Sequence, residues 1–251
     1  MKKTKMLRWT VLFLLIAVNA SASAQDIGKY FHPVTSSVST TDSEGFIRRW
    51  RLLEPLSRPV RTNAVFTDTY LREAFNTQYF KNQMTILPKD GQKVKTTVVQ
   101  EVIPPGFGRG PQAQQPAQPT FKTVKETLTW HELESSRYNV KLFRFGEEYK
   151  QRLYGVLYWA VTVVDCPEDM ENVRLAVGSN SASMWWVNGK EALLMSGDRR
   201  MVVDDCVSQS FTLKKGQNII RGSVINGPGM SDFCVRLINE KGEPIKNVTI
   251  R

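Results

Sequence analysis

Two groups of side chains in the second half of the chain have the chemistry to bind a polar, ring-shaped ligand. Trp185 and Trp186 are adjacent in the run SMWWVNGK, and a flat indole ring can stack on the face of a sugar. A charged segment follows at 198–205, and its arginine and aspartate side chains suit hydrogen bonding to hydroxyl groups. The candidate ligand-binding residues are Trp185, Trp186, Asp198, Arg199, Arg200, Asp204 and Asp205.

Each of these candidates also has a purely structural interpretation. Neighbouring residues of a strand point to opposite faces, so one tryptophan is expected to pack inward, and both can belong to the framework. The charged segment can equally be a solvated turn with local ion pairs. We expect Tyr154, Tyr158 and Trp159, in the uncharged run 153–164, to pack in the interior.

Catalytic motifs are absent from the sequence. The chain contains no G-x-S-x-G elbow, no H-E-x-x-H and no P-loop. A Ser-His-acid triad would have to use His32 or His131, the chain's two histidines, and these cannot form a His-rich metal site. We therefore expect no metal and no cofactor. A hydrolase with a pair of carboxylates stays open, because nothing singles out two of the 24 acidic residues.

The N-terminus has the pattern of an export signal. Lys2, Lys3, Lys5 and Arg8 precede the apolar run 11–18, and Ala-Ser-Ala ends at residue 24. The apolar run is too short to form a stable membrane anchor. We predict a signal peptide at 1–24, export to the periplasm or the cell surface, and no integral membrane segment after its removal.

Charge and length narrow the class of protein further. The formal charge of +10 falls to +6 when the first 24 residues, with four cations and no acid, are removed. The basic residues are scattered among acids, so nucleic acid is not an expected partner. The charge is compatible with attraction to acidic polysaccharide. The remaining 227 residues suffice for one well-buried domain.

Three cysteines are present in the exported part of the chain. Cys166 and Cys206 each follow an apolar run in a loop-like context, and they are the candidate disulfide pair. Cys234 lies in the apolar run FCVRL and is expected to be a buried thiol. The spacing of the three matches no metal-binding knuckle.

The first half of the chain is predicted to hold one helix and one flexible loop. Residues 25–43 are polar and indicate an extended leader, and 44–251 is predicted to be a single domain. Helical spacing of apolar residues predicts the only helix at 67–80, with Thr67 or Asp68 as its N-cap. The Pro- and Gln-rich segment 104–120 has almost nothing to bury, so we interpret it as a flexible insertion.

The second half of the chain has the pattern of successive strands. The run 153–164 is typical of a strand covered on both faces, and 172–179 alternates between apolar and other residues. Asn188-Gly189 is the preferred pair for a type I′ turn and predicts a tight hairpin. Strands this frequent favour an all-β, antiparallel β-sandwich.

The sequence of about residues 150–250 resembles a known family. The pattern comprises the strand 153–164, the segment RLAVGS at 174–179, the hairpin WVNGK at 186–190 and LKKGQN at 213–218. It resembles the galactose-binding-like jelly-roll modules of secreted bacterial glycoside hydrolases and carbohydrate esterases. Asn180 and Ser181 stand where that family often has two acids, so the resemblance implies no calcium site here.

The resemblance implies an exported, non-catalytic carbohydrate-binding or accessory module for polysaccharide use at a Gram-negative-type envelope. Its partners would be a polysaccharide or oligosaccharide and a secreted glycoside hydrolase or esterase. Two alternatives stay open: an envelope assembly protein that docks a partner through an exposed aromatic side chain, and the hydrolase considered above.

Overall fold

The computed structural model describes residues 27–102, 119–150 and 152–251. The predicted signal peptide at 1–24 and all but the last two residues of the predicted insertion at 104–120 lie outside the described residues. The α-helices are α1 (Asp68–Asn76) and α2 (Leu142–Tyr149), and two 3-10 turns are at Ile27–Lys29 and Asn63–Val65. The strands are β1 (Phe31–Pro33), β2 (Ser39–Thr40), β3 (Arg49–Leu53), β4 (Leu56–Ser57), β5 (Lys93–Val102), β6 (Thr120–Ser135), β7 (Val156–Cys166), β8 (Met170–Ser179), β9 (Ala182–Val187), β10 (Lys190–Met195), β11 (Cys206–Val207), β12 (Phe211–Leu213), β13 (Gly216–Asn226), β14 (Phe233–Ile238) and β15 (Thr249–Ile250).

The strands form two antiparallel sheets, as predicted for a β-sandwich. The larger sheet has the order β1-β6-β3-β7-β13-β9-β10, with β2, β4, β5 and β15 paired beside this path. In the smaller sheet, β8 lies between β14 on one side and β11 and β12 on the other.

The main core lies between the two sheets. Trp50, Trp185 and Phe233 meet edge to face near its centre, with ring centroids 5.0 to 5.9 Å apart. Burying three aromatic side chains against one another removes a large apolar area from water and stabilises the stacked sheets.

A second core covers the opposite face of the larger sheet. Here α1 and the segment around it pack Leu71, Phe75 and Phe80 against Trp159 and Trp186. The strand β7 is therefore covered on both faces, and all but one of its residues are buried. This confirms that the strand predicted from the uncharged run 153–164 is covered on both faces.

The helices differ from the prediction in number and length. α1 begins after Thr67, whose hydroxyl accepts a hydrogen bond from the Tyr70 N–H as the N-cap, and it ends at Asn76. The prediction of a single helix was wrong, because α2 packs Leu142 and Phe145 into the main core. α2 has only eight residues, includes Gly146 and has no side-chain N-cap, so its sequence signal is weak.

The described part of the segment 25–43, predicted as an extended leader, contributes two short strands to the larger sheet. β1 pairs with β6 and β2 pairs with β15, both antiparallel. Phe31 on β1 is buried in the main core. β1 has only three residues, so the alternation of apolar and polar residues along it is too short to predict a strand from sequence.

The hairpin predicted at Asn188-Gly189 is confirmed. β9 ends at Val187 and β10 begins at Lys190, and the two turn residues have φ of +50° and +79°. Both values lie in the left-handed region that a type I′ turn requires, which asparagine and glycine tolerate best.

A long two-stranded antiparallel ribbon extends from the larger sheet. It consists of β5 and residues 120–129 of β6, paired from Lys93–Thr129 to Val102–Thr120. Its inner face, which carries Val94, Val98 and Leu128, packs on the second core. Its outer face carries the alternate residues and faces solvent.

No helix among the described residues is long and apolar enough to cross a membrane.

Candidate functional site

The two candidate tryptophans are both buried, so neither ring is available for stacking on a ligand. Trp185 is 0% exposed in the main core, and Trp186 is 3% exposed in the second core. Trp186 stacks on Trp159 with ring centroids 5.6 Å apart and planes 18° apart. The prediction that the two side chains point to opposite faces is confirmed, and α1 covers the face of Trp186 that sequence alone leaves open.

The candidate charged residues of 198–205 mostly bind other parts of the protein. Asp204 pairs with Arg236, and the guanidinium of Arg199 donates to Asp205 at 2.8 Å. Asp198 accepts a hydrogen bond of 2.7 Å from the Asn63 side chain. Asp198 and Arg200 are exposed. These contacts anchor the loop to its neighbours, and none of the five residues lines a cleft described below.

The candidate disulfide does not form, and all three cysteines are free. Cys206 pairs with Val177 near one end of β8, whereas Cys166 precedes Met170 at the other end. Seven residues of strand separate Met170 from Val177, roughly 23 Å at about 3.3 Å per residue. A disulfide needs Cα atoms about 6 Å apart, so these two thiols cannot bond in this fold.

The inner face of the ribbon borders two clefts that the sequence did not single out. Cleft A has a volume of about 740 Å³, and cleft B has a volume of about 320 Å³. Cleft A is lined by Gln78, Tyr79, Phe80, Lys81, Lys95, Thr96, Thr97, Lys125, Glu126 and Thr127. Cleft B is lined by Ser57, Pro59, Val60, Gln100, Glu101, Arg152, Tyr154 and Gly155.

Glu126 of cleft A joins the two clefts through its hydrogen bonds. Its Oε1 accepts from Gln100 Nε2 at 2.5 Å and from Arg152 Nη2 at 2.7 Å, and its Oε2 accepts from Arg152 Nη1 at 3.1 Å. Both donors line cleft B. The bidentate pair holds the guanidinium plane in one orientation. The remaining donors and acceptors of this Gln100–Glu126–Arg152 triad are fixed in place for a ligand with hydroxyl groups.

An exposed aromatic ring lies in cleft B. Tyr154 is 56% exposed, so the expectation that it packs in the interior was wrong. Tyr154 lies two residues before β7 begins, outside the part of the chain that is covered on both faces of the sheet. The centroid of its ring is 5.9 Å from that of the Phe143 ring. Tyr158, by contrast, is 1% exposed, and burial raises the pKa of its hydroxyl.

A glycine shapes the wall of cleft B. Gly155 has φ of +59°, and a Cβ there would lie 3.1 Å from Pro59 Cα and 3.2 Å from Val60 N. Its carbonyl accepts a hydrogen bond of 2.8 Å from the Arg58 N–H. The absence of a side chain lets the segment 58–60 approach the start of β7 and close one side of the cleft.

Cleft A contains a buried hydroxyl without a partner. Thr96 is 4% exposed, and among the described residues its Oγ1 has no hydrogen-bond partner. Thr96 lies directly opposite Glu126 on the inner face of the ribbon. An unsatisfied hydroxyl costs free energy, which a ligand hydroxyl would recover.

The clefts lack the acid pairs that glycoside hydrolysis requires. Clefts A and B each contain one acidic residue, Glu126 paired with Arg152 and Glu101 paired with Arg61. Two further clefts also contain one each, Glu191 and Glu240. Hydrolysis by two carboxylates needs them about 5 to 9.5 Å apart across one site, and none of these four clefts offers such a pair.

The histidines do not form a catalytic or metal site in the described part of the chain. His131 contacts Glu54 at 3.2 Å and stacks on Tyr149, and His32 contacts the Ser136 hydroxyl at 3.0 Å. No group of three or more His, Cys, Asp or Glu residues suited to a metal occurs among the described residues.

Comparisons with known proteins give distant similarities in structure only. No family model and no curated protein matches the chain. The PA14 domain of the MpAFP antifreeze protein is 11% identical, with 81% of this chain and 87% of that chain covered and a TM-score of 0.36. The PA14 sugar-binding domain of an RTX adhesin is 9% identical, with coverages of 80% and 96% and a TM-score of 0.32.

The third similarity is to a much longer chain. The GH31 alpha-xylosidase of Xanthomonas citri is 9% identical, with 88% of this chain and 27% of that chain covered and a TM-score of 0.25. At TM-scores below 0.5, none of these three similarities carries an argument about the function of this chain.

Proposed function

We propose that this chain is an exported, non-catalytic carbohydrate-binding module that recognises a polysaccharide or oligosaccharide at clefts A and B. The observation that carries the proposal is the exposed ring of Tyr154 in the same cleft as Gln100 and Arg152, both of which are hydrogen-bonded to Glu126. Sugars present an apolar face of C–H groups and a rim of hydroxyls, and this cleft offers a partner for each.

The pairing of the charged groups favours binding over catalysis. A general acid must give up its proton and a nucleophile needs a free lone pair, whereas the carboxylate of Glu126 accepts three hydrogen bonds. The same pairing suits recognition, because fixed donors and acceptors cost little ordering entropy when a ligand binds.

The proposal includes the finer fold and the location. The strand motifs at 174–179, 186–190 and 213–218 support a galactose-binding-like jelly roll. The signal pattern at 1–24 supports export to the periplasm or cell surface, where a glycoside hydrolase or esterase is a fitting partner. The burial of Trp185 and Trp186 removes the aromatic anchor on which the assembly-protein alternative depended.

Affinity electrophoresis against a panel of neutral polysaccharides tests the proposal. The wild type is expected to be retarded by at least one of them, and Tyr154→Ala is expected to weaken that retardation at least about tenfold, the loss of one stacking contact of roughly 1.4 kcal/mol. Tyr138→Ala is the matched control, since Tyr138 is 43% exposed and lies outside both clefts.

Two results would contradict the proposal. One is that no polysaccharide in the panel retards the wild type. The other is that Tyr154→Ala and Tyr138→Ala reduce retardation equally, because the effect would then be unrelated to cleft B.

A further inference from the structure

The outer face of the ribbon carries an uncompensated positive charge. Lys93 and Lys95 lie on β5 and Lys125 lies on β6, and all three are exposed on the outer face of the ribbon. Lys95 and Lys125 also border cleft A, and none of the three lines cleft B. Within the described part of the chain, none of these three ammonium groups forms an ion pair. The acidic residue at an alternate position of β5, Glu101, forms an ion pair with Arg61.

Hydroxyl groups lie between these lysines. Lys95 is directly opposite Thr127, and Lys125 is directly opposite Thr97. Both threonines are exposed. The Cβ atoms of residues opposite each other on neighbouring strands are about 5 Å apart, so each lysine has a threonine as its cross-strand neighbour. Together with Lys93, these four residues form a face with cations and hydrogen-bonding groups spaced along about 14 Å of strand.

We propose that this outer face binds an acidic polysaccharide, separately from the Tyr154 site in cleft B. A flat row of cations complements a polymer with regularly spaced carboxylates, and the threonine hydroxyls suit its remaining oxygen atoms. Repeated weak contacts along a polymer add to a useful affinity through avidity.

A cationic face also attracts anionic lipid, but the residues here favour the polysaccharide. Insertion into a lipid interface needs apolar side chains between or beside the cations. The apolar residues of this face, Val99 and Phe121, lie beyond the lysines toward the end of the ribbon, whereas threonines lie among the lysines.

The test measures binding to polygalacturonate, with its fully methyl-esterified form as the uncharged probe of the same backbone. Substituting Lys93, Lys95 and Lys125 together by Gln is expected to weaken polygalacturonate binding at least about tenfold at low salt. Substituting Lys190, Lys241 and Lys246 together by Gln removes the same charge from other exposed positions, and binding is expected to be unchanged. The methyl ester is expected to bind at least about tenfold more weakly than polygalacturonate.

The outcomes separate this inference from the proposed function. Tyr154→Ala is expected to leave polygalacturonate binding intact, so a failure of either site does not imply a failure of the other. Equal losses in the two triple variants would overturn the inference, because net charge alone would then explain binding. It would also be overturned if the ribbon variant lost binding only to phosphatidylglycerol vesicles, or if the methyl ester bound as tightly as the free acid.

Discussion

Arg221 on β13 has a buried guanidinium, and no acidic residue of the described ranges forms an ion pair with it. It is 2% exposed on the face of the larger sheet that carries Trp186, and its Nη1 has no hydrogen-bond partner in the described part of the chain. Burial removes its hydration and lowers the pKa of Arg221 to about 10. At neutral pH this charge therefore destabilises the fold.

Replacing this side chain is expected to stabilise the protein. Arg221→Met should raise the free energy of unfolding by about 1 to 3 kcal/mol at pH 7, since an uncompensated buried charge is exchanged for an apolar chain of similar length. Because the pKa of Arg221 is lowered in the folded state, its destabilising effect is present below pH 10 and fades as the pH rises above it. Urea denaturation of the wild type and of Arg221→Met measures the difference between their free energies of unfolding at pH 7. The same measurement at pH 10.5 is expected to give a smaller difference.

Arg49 provides the control for that measurement. It is 5% exposed, but it donates two hydrogen bonds to Glu132, at 2.7 and 2.9 Å. Arg49→Met should lower the free energy of unfolding by about 2 kcal/mol, the cost of losing charge-assisted bonds. If both substitutions stabilised the protein, the lack of a charged partner could not explain the effect of Arg221→Met.

The thiols are expected to react at different rates because they differ in burial. Burial raises the pKa of Cys166 to about 11 and that of Cys234 to about 12, whereas Cys206 is only partly buried. At pH 8 a thiol-specific reagent should modify one cysteine of the folded protein quickly and two more only after denaturation. Mass spectrometry locates the modified residue. Rapid modification of Cys166 or Cys234, or a count of one thiol after denaturation, would be inconsistent with the structure.

At the scale of the elements, two glycines of the larger sheet matter for different reasons. Gly189 needs its positive φ of +79°, and nothing lies within 4 Å of a Cβ placed there. Gly222 of β13 packs directly under the Trp185 ring, which a Cβ would overlap. The first is a requirement of the turn, and the second is a requirement of packing.

These two requirements predict different costs. Gly189→Ala should destabilise by about 1 kcal/mol through backbone strain alone. Gly222→Ala should cost about 3 kcal/mol or more, because β13 or the indole ring must move in a close-packed core. Chemical denaturation of both variants gives the order, and equal costs would show that the indole ring is not fixed against β13.

The elements also show what the sequence was able to predict. Alternation of apolar residues located β8, and the Asn188-Gly189 pair located a turn, because both signals are local. The burial of Trp186 depends on α1, more than a hundred residues earlier in the chain. No local sequence pattern could therefore predict that the face of the sheet that carries Trp186 is covered.

The candidate site had one usable signal that was not recognised. In β6, Glu126 shares the inner face with Val124, Leu128 and Trp130, so a charge interrupts an apolar row. In β5, Gln100 interrupts the same kind of row. Arg152 and Tyr154 had no such signal, since they lie outside the strands and reach the ribbon only through the fold.

For the whole molecule, the two proposals place different kinds of recognition on different parts of the ribbon. Gln100 and Arg152, both bound to Glu126 of its inner face, share cleft B with Tyr154. Its outer face presents three lysines that form no ion pair with any described residue. The sandwich supports the ribbon rigidly, because β6 continues from the ribbon into the larger sheet, where it pairs with β3. A rigid scaffold holds the binding groups in place before the ligand arrives, which lowers the entropic cost of binding.

The central claim is that ligand recognition takes place on the inner face of the ribbon and not at the charged loop 198–205. The most direct test is a titration of the isotopically labelled protein with an oligosaccharide of the polysaccharide that retards it, followed by amide chemical shifts. We expect the largest changes at Gln100, Glu126 and Tyr154, with the signals of 198–205 unmoved. Changes concentrated in 198–205, with the ribbon unaffected, would contradict the account.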